Sequence, residues 1–301
     1  MYTLEIAGFT ALPGSSLRAV QFLRKMRGGA QSSLLQAEDG KHYIVKLPGN
    51  PQGTETLFNE AFASELMRIA GFPVPTWRRI EVSEEFLSAN RGVWFETSGS
   101  GRQRPQAGLG FGSSLITAGE GEELYEILPA SWMGLITNRA DFIGVLLFDF
   151  WINQADCRQA IFLQDRRTRA IRATFIDQGC TLSKLNLRVE IGKIRGMCLD
   201  RRIYETVDIK AAVAKWKARI EGIDEGTLRA LLSRMSIPEP WCSVSDIEEK
   251  LTGLLARQAL LDRFAACMEA SLSARTSELR QQTGRFPTAH LWRLPQLSAH
   301  R

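Results

Sequence analysis

Residues 141–162, DFIGVLLFDFWINQADCRQAIF, and residues 175–179, FIDQG, decide how this chain is read. The run over 141–153 is strongly apolar and predicts a buried helix. It is too short to cross a bilayer and carries Asp149 in its middle. Two short strands follow over 160–163 and 171–176, around the polar turn QDRRTR. Asp156 therefore precedes a hairpin, and Asp177 ends it with Gly179 close behind. An acid at the end of an apolar segment suits the orientation of a hydroxyl, which makes Asp149 and Asp156 candidates. Arg158 offers a cation for a phosphate, or a partner for Asp156. An acid at a strand end, followed by glycine, offers hard oxygen to Mg²⁺.

Upstream, residues 33–37 and 42–47 are apolar-rich segments around Asp39-Gly40, which predicts a hairpin. Lys46 stands inside the β-branched stretch YIVKL, where an ammonium has the option of holding phosphates as a point charge. Residues 55–70 repeat at helical spacing through Phe58, Ala61, Phe62, Leu66 and Ile69, and Gly71, Pro73 and Pro75 stop them. Glu60 and Glu65 are the carboxylates of that helix available to Lys46. Glu60 is preferred because Phe58, Ala61 and Phe62 mark the buried side. Just before the hairpin stands Gly28-Gly29-Ala30-Gln31-Ser32-Ser33, whose backbone amides suit an anion. Its spacing matches neither the G-x-x-x-x-G-K-[ST] loop nor the dinucleotide fingerprint.

Residues 96–124, including SGSGRQRPQAGLGFGSS, read as a glycine-rich surface loop or linker. Beyond residue 183 the pattern is helical, with a long helix starting near Ser245 and running through Leu251, Leu254, Phe264 and Met268. The last 25 residues are polar and proline-interrupted and read as a tail. The expected division is 1–95 as a small lobe, 96–140 as loop and inter-lobe region, 141–275 as a helical lobe with the catalytic hairpin, and 276–301 as tail.

Bulk properties narrow the function classes. With 44% hydrophobic and 24% charged residues, the 301-residue chain is globular and large enough for two lobes. Five scattered cysteines and three histidines form no zinc pattern. The N-terminus lacks the features of a signal peptide, so the sequence-based expectation is a cytoplasmic protein without membrane attachment. A net charge of +5 permits a phosphate-rich partner. The pairs Arg166-Arg167 and Arg201-Arg202 lack interleaved aromatics, so direct nucleic-acid binding is not expected.

The motifs GGAQSSLL, YIVKL, NPQG, NEAFASEL and GFPVP within residues 27–75, with the two stretches quoted first and IPEPW at 237–241, resemble the HipA-like kinases. The two acids also echo the D-R-H-x-x-N and D-F-G motifs of phosphatidylinositol kinases. The resemblance implies an α+β, bilobal, protein-kinase-like fold with a β-rich N-terminal lobe and a mainly helical C-terminal lobe. It implies ATP and Mg²⁺ as cofactors and transfer of phosphate to a serine or threonine of an unidentified protein acceptor. It also brings an antitoxin-like partner into consideration, since some family members act in toxin–antitoxin systems. Carried over by position, Lys46 is the ATP-phosphate lysine, Glu60 its partner, Asp156 the catalytic acid and Asp177 the metal ligand. Arg158 stands where the family has histidine. Gly28, Gly29, Gln31, Ser32 and Gln159 complete the expected nucleotide contacts.

One position departs from the family. The metal-binding asparagine expected five residues after Asp156 is Ile161, which cannot ligate a metal; Gln159 and Asn153 are the nearby amides. The departure motivates a second reading, a pseudokinase serving as a nucleotide-binding regulatory or protein-binding module.

Overall fold

The computed structural model describes residues 15–26, 31–51, 53–97, 101–183, 185, 201–205 and 207–281. In chain order, β1 (Leu17–Lys25), β2 (Ser33–Ala37) and β3 (His42–Lys46) form a meander. Then come α1 (Glu55–Ala70), β4 (Trp77–Val82), α2 (Glu84–Ala89), and the small pair β5 (Phe95–Thr97) and β6 (Gly101–Gln103). β7 (Gly108–Ser114) inserts between β3 and β4, and β1 meets β4 in parallel, so the sheet closes as a barrel in the order β1-β2-β3-β7-β4.

The placement of β7 corrects the reading of residues 96–124 as loop or linker. Glycine there is a packing requirement rather than a sign of irregular chain. A Cβ on Gly110 would stand 2.6 Å from the carbonyl oxygen of Lys46, and one on Gly112 would stand 2.4 Å from Cγ1 of Ile80. The glycines let β7 lie tightly between its neighbours. Of the remainder, β5, β6 and the short strand β8 (Glu122–Tyr125) are also ordered elements.

The helical part begins with α3 (Arg139–Trp151), followed by β9 (Gln159–Asp165) and β10 (Ile171–Ile176), which join β8 in a sheet ordered β10-β9-β8. α4 (Ile209–Glu221), α5 (Glu225–Met235), α6 (Val244–Gln258) and α7 (Leu261–Gln281) complete it. The single long helix expected from about residue 245 is thus two. α6 starts one residue after Ser243, whose hydroxyl accepts from the amide of Asp246. It breaks at Ala259 and Leu260, where the Leu260 amide turns back to the carbonyl of Arg257 at 3.0 Å. Such a tight turn scarcely disturbs apolar spacing, so periodicity does not reveal it. The expected tail overlaps the end of α7; residues 282–301 lie outside the described residues.

Two apolar cores position the site. The barrel interior holds Leu35, Val45, Leu47, Ile80, Val82 and Phe95. The larger core joins Phe58, Phe62 and Leu66 of α1 to Phe148 and Trp151 of α3 and to Trp216 of α4. Each such fully buried side chain contributes roughly 1.5–3 kcal/mol. α1 is therefore fastened to the helical lobe, and ends at Gly71 in the left-handed conformation (φ 91°).

Candidate active site

β3 and α1 bring the first pair together. Lys46 ends β3, and Glu60 lies on the face of α1 turned toward it; both are buried. The Lys46 ammonium donates to Oε1 of Glu60 and, at 2.8 Å, to Oδ1 of Asp177. Glu65 is engaged elsewhere, by Arg68 and by the indole of Trp77 at 3.0 Å. Burial alone would lower the affinity of Lys46 for its proton, but the Glu60 and Asp177 carboxylates more than reverse this, so the amine stays charged. Burial pushes the Glu60 carboxyl up against the opposing pull of Lys46. Burial acts in the same sense on Asp177, yet Lys46 and the surrounding hydrogen bonds outweigh it and hold that carboxyl below its usual range.

Asp177 follows β10 in the left-handed region (φ 65°), a conformation that costs a non-glycine residue energy and turns the chain sharply at the strand end. Its Oδ2 accepts from Nε2 of Gln159 at 3.1 Å. Gln159 opens β9 directly across from Ile176, which sets its amide beside Asp177. Ile161, two residues on, pairs with Thr174 farther along the hairpin. Behind Asp177, the amide of Gln178 donates to Oε2 of Glu60 at 3.0 Å, and Asn59 donates to the carbonyl of Gly179 at 3.2 Å. Only glycine fits at 179: a Cβ would stand 2.8 Å from Cγ2 of Thr56 and 2.9 Å from Nζ of Lys46.

Asp156 is exposed on the loop between α3 and β9, where its Oδ1 accepts from the amide of Cys157 at 2.7 Å. That loop is laced to the segment after Asp177. The Leu182 amide donates to Ile152, the Ala155 amide to Cys180, and the Asn153 side chain to Ser183, at 2.8, 2.9 and 2.7 Å. Burial first, then the Asp177 and Asp156 carboxylates, push the Cys180 thiol up.

Arg158 departs from the sequence expectation. Its guanidinium is buried and paired with Asp149, not Asp156, and it also donates to Gln178 Oε1. Neither Arg158 nor Asp149 faces solvent, so neither meets a phosphate or a hydroxyl. Removing one partner of such a pair costs about 3–5 kcal/mol, which marks it as a brace beneath the loop. Gln31 departs as well. It adopts φ 49°, and its amide donates to the carbonyl of Glu96 at 3.0 Å while accepting from the Glu96 amide, which ties it to β5. Ser32 is buried, and its carbonyl accepts from Met26 at 2.8 Å. Gly28 and Gly29 lie outside the described residues. Sequence reasoning did not single out Gln178 or Asn59; their only signal was a polar side chain flanking each expected carboxylate.

Among the described residues no three His, Cys, Asp or Glu side chains gather as a metal site. The oxygen that this arrangement offers to a hard cation is the Asp177 carboxylate, which the Gln159 amide N–H holds in place. The glycine at 179 keeps the space above Lys46 clear.

A lysine on the third strand paired to a helix carboxylate, a hairpin between two acids, and the barrel order together define a protein-kinase-like fold. The Golgi casein kinase with Mn/ADP bound is similar in structure, with a TM-score of 0.53 at 11% identity over 88% of this chain and 75% of that one. So is the Helicobacter pylori proinflammatory kinase CtkA, with a TM-score of 0.53 at 14% identity over 84% and 98%. Residues 19–161 match the family model of the HipA-like kinases, so the resemblance carried by the motifs holds across that stretch. No curated protein sequence matches the chain. No helix among the described residues is long and apolar enough to cross a membrane.

Proposed function

We propose that this chain is an ATP- and Mg²⁺-dependent phosphotransferase acting on a serine or threonine hydroxyl of a protein. The observation that carries the reading is the buried ammonium of Lys46 bridging Glu60 and Asp177. ATP would supply the transferred phosphoryl group, and the metal would neutralise charge on its phosphate oxygens. Lys46, held charged and fixed by Glu60, positions phosphate oxygens. Asp177 would hold the cation, oriented by the Gln159 amide N–H. Asp156, exposed on its loop, accepts a hydrogen bond from the acceptor hydroxyl and receives its proton. The choice of a protein acceptor, and any antitoxin-like partner, rests on the family resemblance.

The second reading, a nucleotide-binding module without turnover, is favoured by Ile161 alone. Calorimetric titration of Mg²⁺–ATP into the wild type and Asp177→Asn, with the wild type repeated in EDTA, tests both. Binding that weakens on losing either the metal or Asp177, followed by ADP release with a protein acceptor, is the expected result. Metal-independent binding with no turnover favours the module. No binding by folded wild type overturns the nucleotide site.

A further inference from the structure

We infer that Lys250, on α6 and remote in sequence from every catalytic motif, is a positioning residue that holds both halves of the site in register. Lys250 is buried at 8% exposure. Its ammonium donates to Oε2 of Glu55 at 3.0 Å and to the carbonyl of Leu182 at 3.3 Å. Glu55 is the first residue of α1, the helix that carries Glu60. Thr54, before it, makes no side-chain cap, so the start of α1 lacks the usual local anchor. Leu182 lies five residues after Asp177.

Leu182 is the second independent sign. It adopts φ 60°, a conformation that a bulky side chain rarely takes without being held there. Two bonds hold it: its amide to the carbonyl of Ile152 at 2.8 Å, and its carbonyl to Lys250. Ile152 begins the loop that carries Asp156. One ammonium thus ties the start of α1 to a strained residue, and that residue ties the Asp177 segment to the Asp156 loop.

The same helix reinforces the tie at both ends. A Cβ on Gly253 would stand 2.4 Å from Cβ of Leu185, so α6 lies against the segment after Asp177. Arg257 donates to the carbonyls of Phe150 at 2.9 Å and Trp151 at 3.0 Å, where α3 ends. The Trp151 indole returns a bond to the carbonyl of Leu254 at 3.0 Å. α6 therefore touches the lysine-partner helix, the metal-acid segment and the end of the helix before the catalytic loop.

The role rests on the proposed phosphotransfer site, but its test has an arm that needs no nucleotide. Hydrogen exchange is measured on wild type, Lys250→Met, Lys250→Arg and Glu55→Gln. In Lys250→Met, peptides containing the amides of Ala155 and Leu182 are expected to exchange about tenfold faster, while α5 is unchanged. Lys250→Arg, which keeps two donors, restores most of the protection, and Glu55→Gln has an intermediate effect. Wild-type exchange at both amides in Lys250→Met overturns the inference. So does a uniform rise across the chain, which marks a merely structural lysine. In the second arm, Mn²⁺–ATP is titrated into the same proteins, and Lys250→Met is expected to bind about tenfold more weakly. If wild type binds no nucleotide, the phosphotransfer reading fails while the exchange arm still decides the positioning role.

Discussion

Lys46 and Asp177 lie 131 positions apart in the chain, yet the ammonium of one donates to the carboxylate of the other across 2.8 Å. The contact crosses from the barrel to the helical lobe, and Glu60 completes it from α1. Removing the lysine strands two carboxylates, one of them fully buried. Lys46→Met is expected to lose about 3 kcal/mol or more of stability, partly recovered in Lys46→Met/Glu60→Gln. Urea denaturation of the three proteins checks this. Equal midpoints for both variants would show that Glu60 does not depend on Lys46.

Asp156 and Asp177 have different roles in the proposed reaction, and their variants are expected to separate. Asp156→Asn keeps the metal-bearing face intact, so Mg²⁺–ATP affinity stays within about threefold while turnover falls by at least about 100-fold. Asp177→Asn loses the metal-dependent part of binding itself. Calorimetry beside a phosphorylation assay distinguishes them; a common loss of affinity in both would place Asp156 in nucleotide binding.

Gly179 is tested by one added methyl. Gly179→Ala sets a Cβ against Thr56 and Lys46, and the displacement is expected to cost about 1–3 kcal/mol of stability or nucleotide affinity. Thermal melts with and without Mg²⁺–ATP report both. A variant that melts and binds like wild type would mean that the segment after Asp177 relaxes freely.

Gln159 and Ile161 make a paired test. The Gln159 amide meets Asp177, whereas Ile161 pairs with Thr174 farther along the hairpin. Gln159→Leu is expected to weaken Mg²⁺-dependent binding about tenfold, and Ile161→Asn in that background to leave the loss uncorrected. Recovery by Ile161→Asn would return the amide ligand to the family's usual register.

Asp149 gives a pH dependence. Burial pushes its carboxyl from 3.8 up to about 6, against the opposing pull of Arg158. Between those values the folded chain holds a proton that the unfolded chain has lost. This group therefore favours the fold more as pH falls from 6 toward 4, and less as it rises. The stability of wild type relative to Asp149→Asn is expected to increase between pH 7 and pH 5, measured by urea unfolding at each pH. A constant difference would show that Asp149 does not titrate in that interval.

Much of this was legible before the structure, for physical reasons that differ by element. The β2–β3 hairpin, α1 and the β9–β10 hairpin declare themselves through strong local patterns: Asp39-Gly40, a helical apolar stripe, and two short apolar runs around the polar turn QDRRTR. Lys46 and Asp177 fall where strands end, and Glu60 beside the buried stripe of α1. β7 was hidden because its glycines answer to neighbouring strands, and sequence shows composition without neighbours. Arg158 was misplaced because Asp156 lies closer in sequence, while burial selects Asp149 nine residues back. Lys250 was invisible because its partners, Glu55 and Leu182, are 195 and 68 residues away.

The parallel pairing of β1 with β4 is short: Leu17 with Ile80 and Arg18 with Glu81 are its paired positions, so the barrel is joined at one end of β1. In the three-stranded sheet the outer edge of β10 is also engaged: the Thr137 amide donates to the Ile171 carbonyl, the Asn138 side chain pairs with the backbone of Ala173, and the Phe175 amide donates to the carbonyl of Pro73. β10 runs directly into Asp177. With both edges engaged, no extended segment pairs alongside it, and Asp177 is presented from a strand held on both sides.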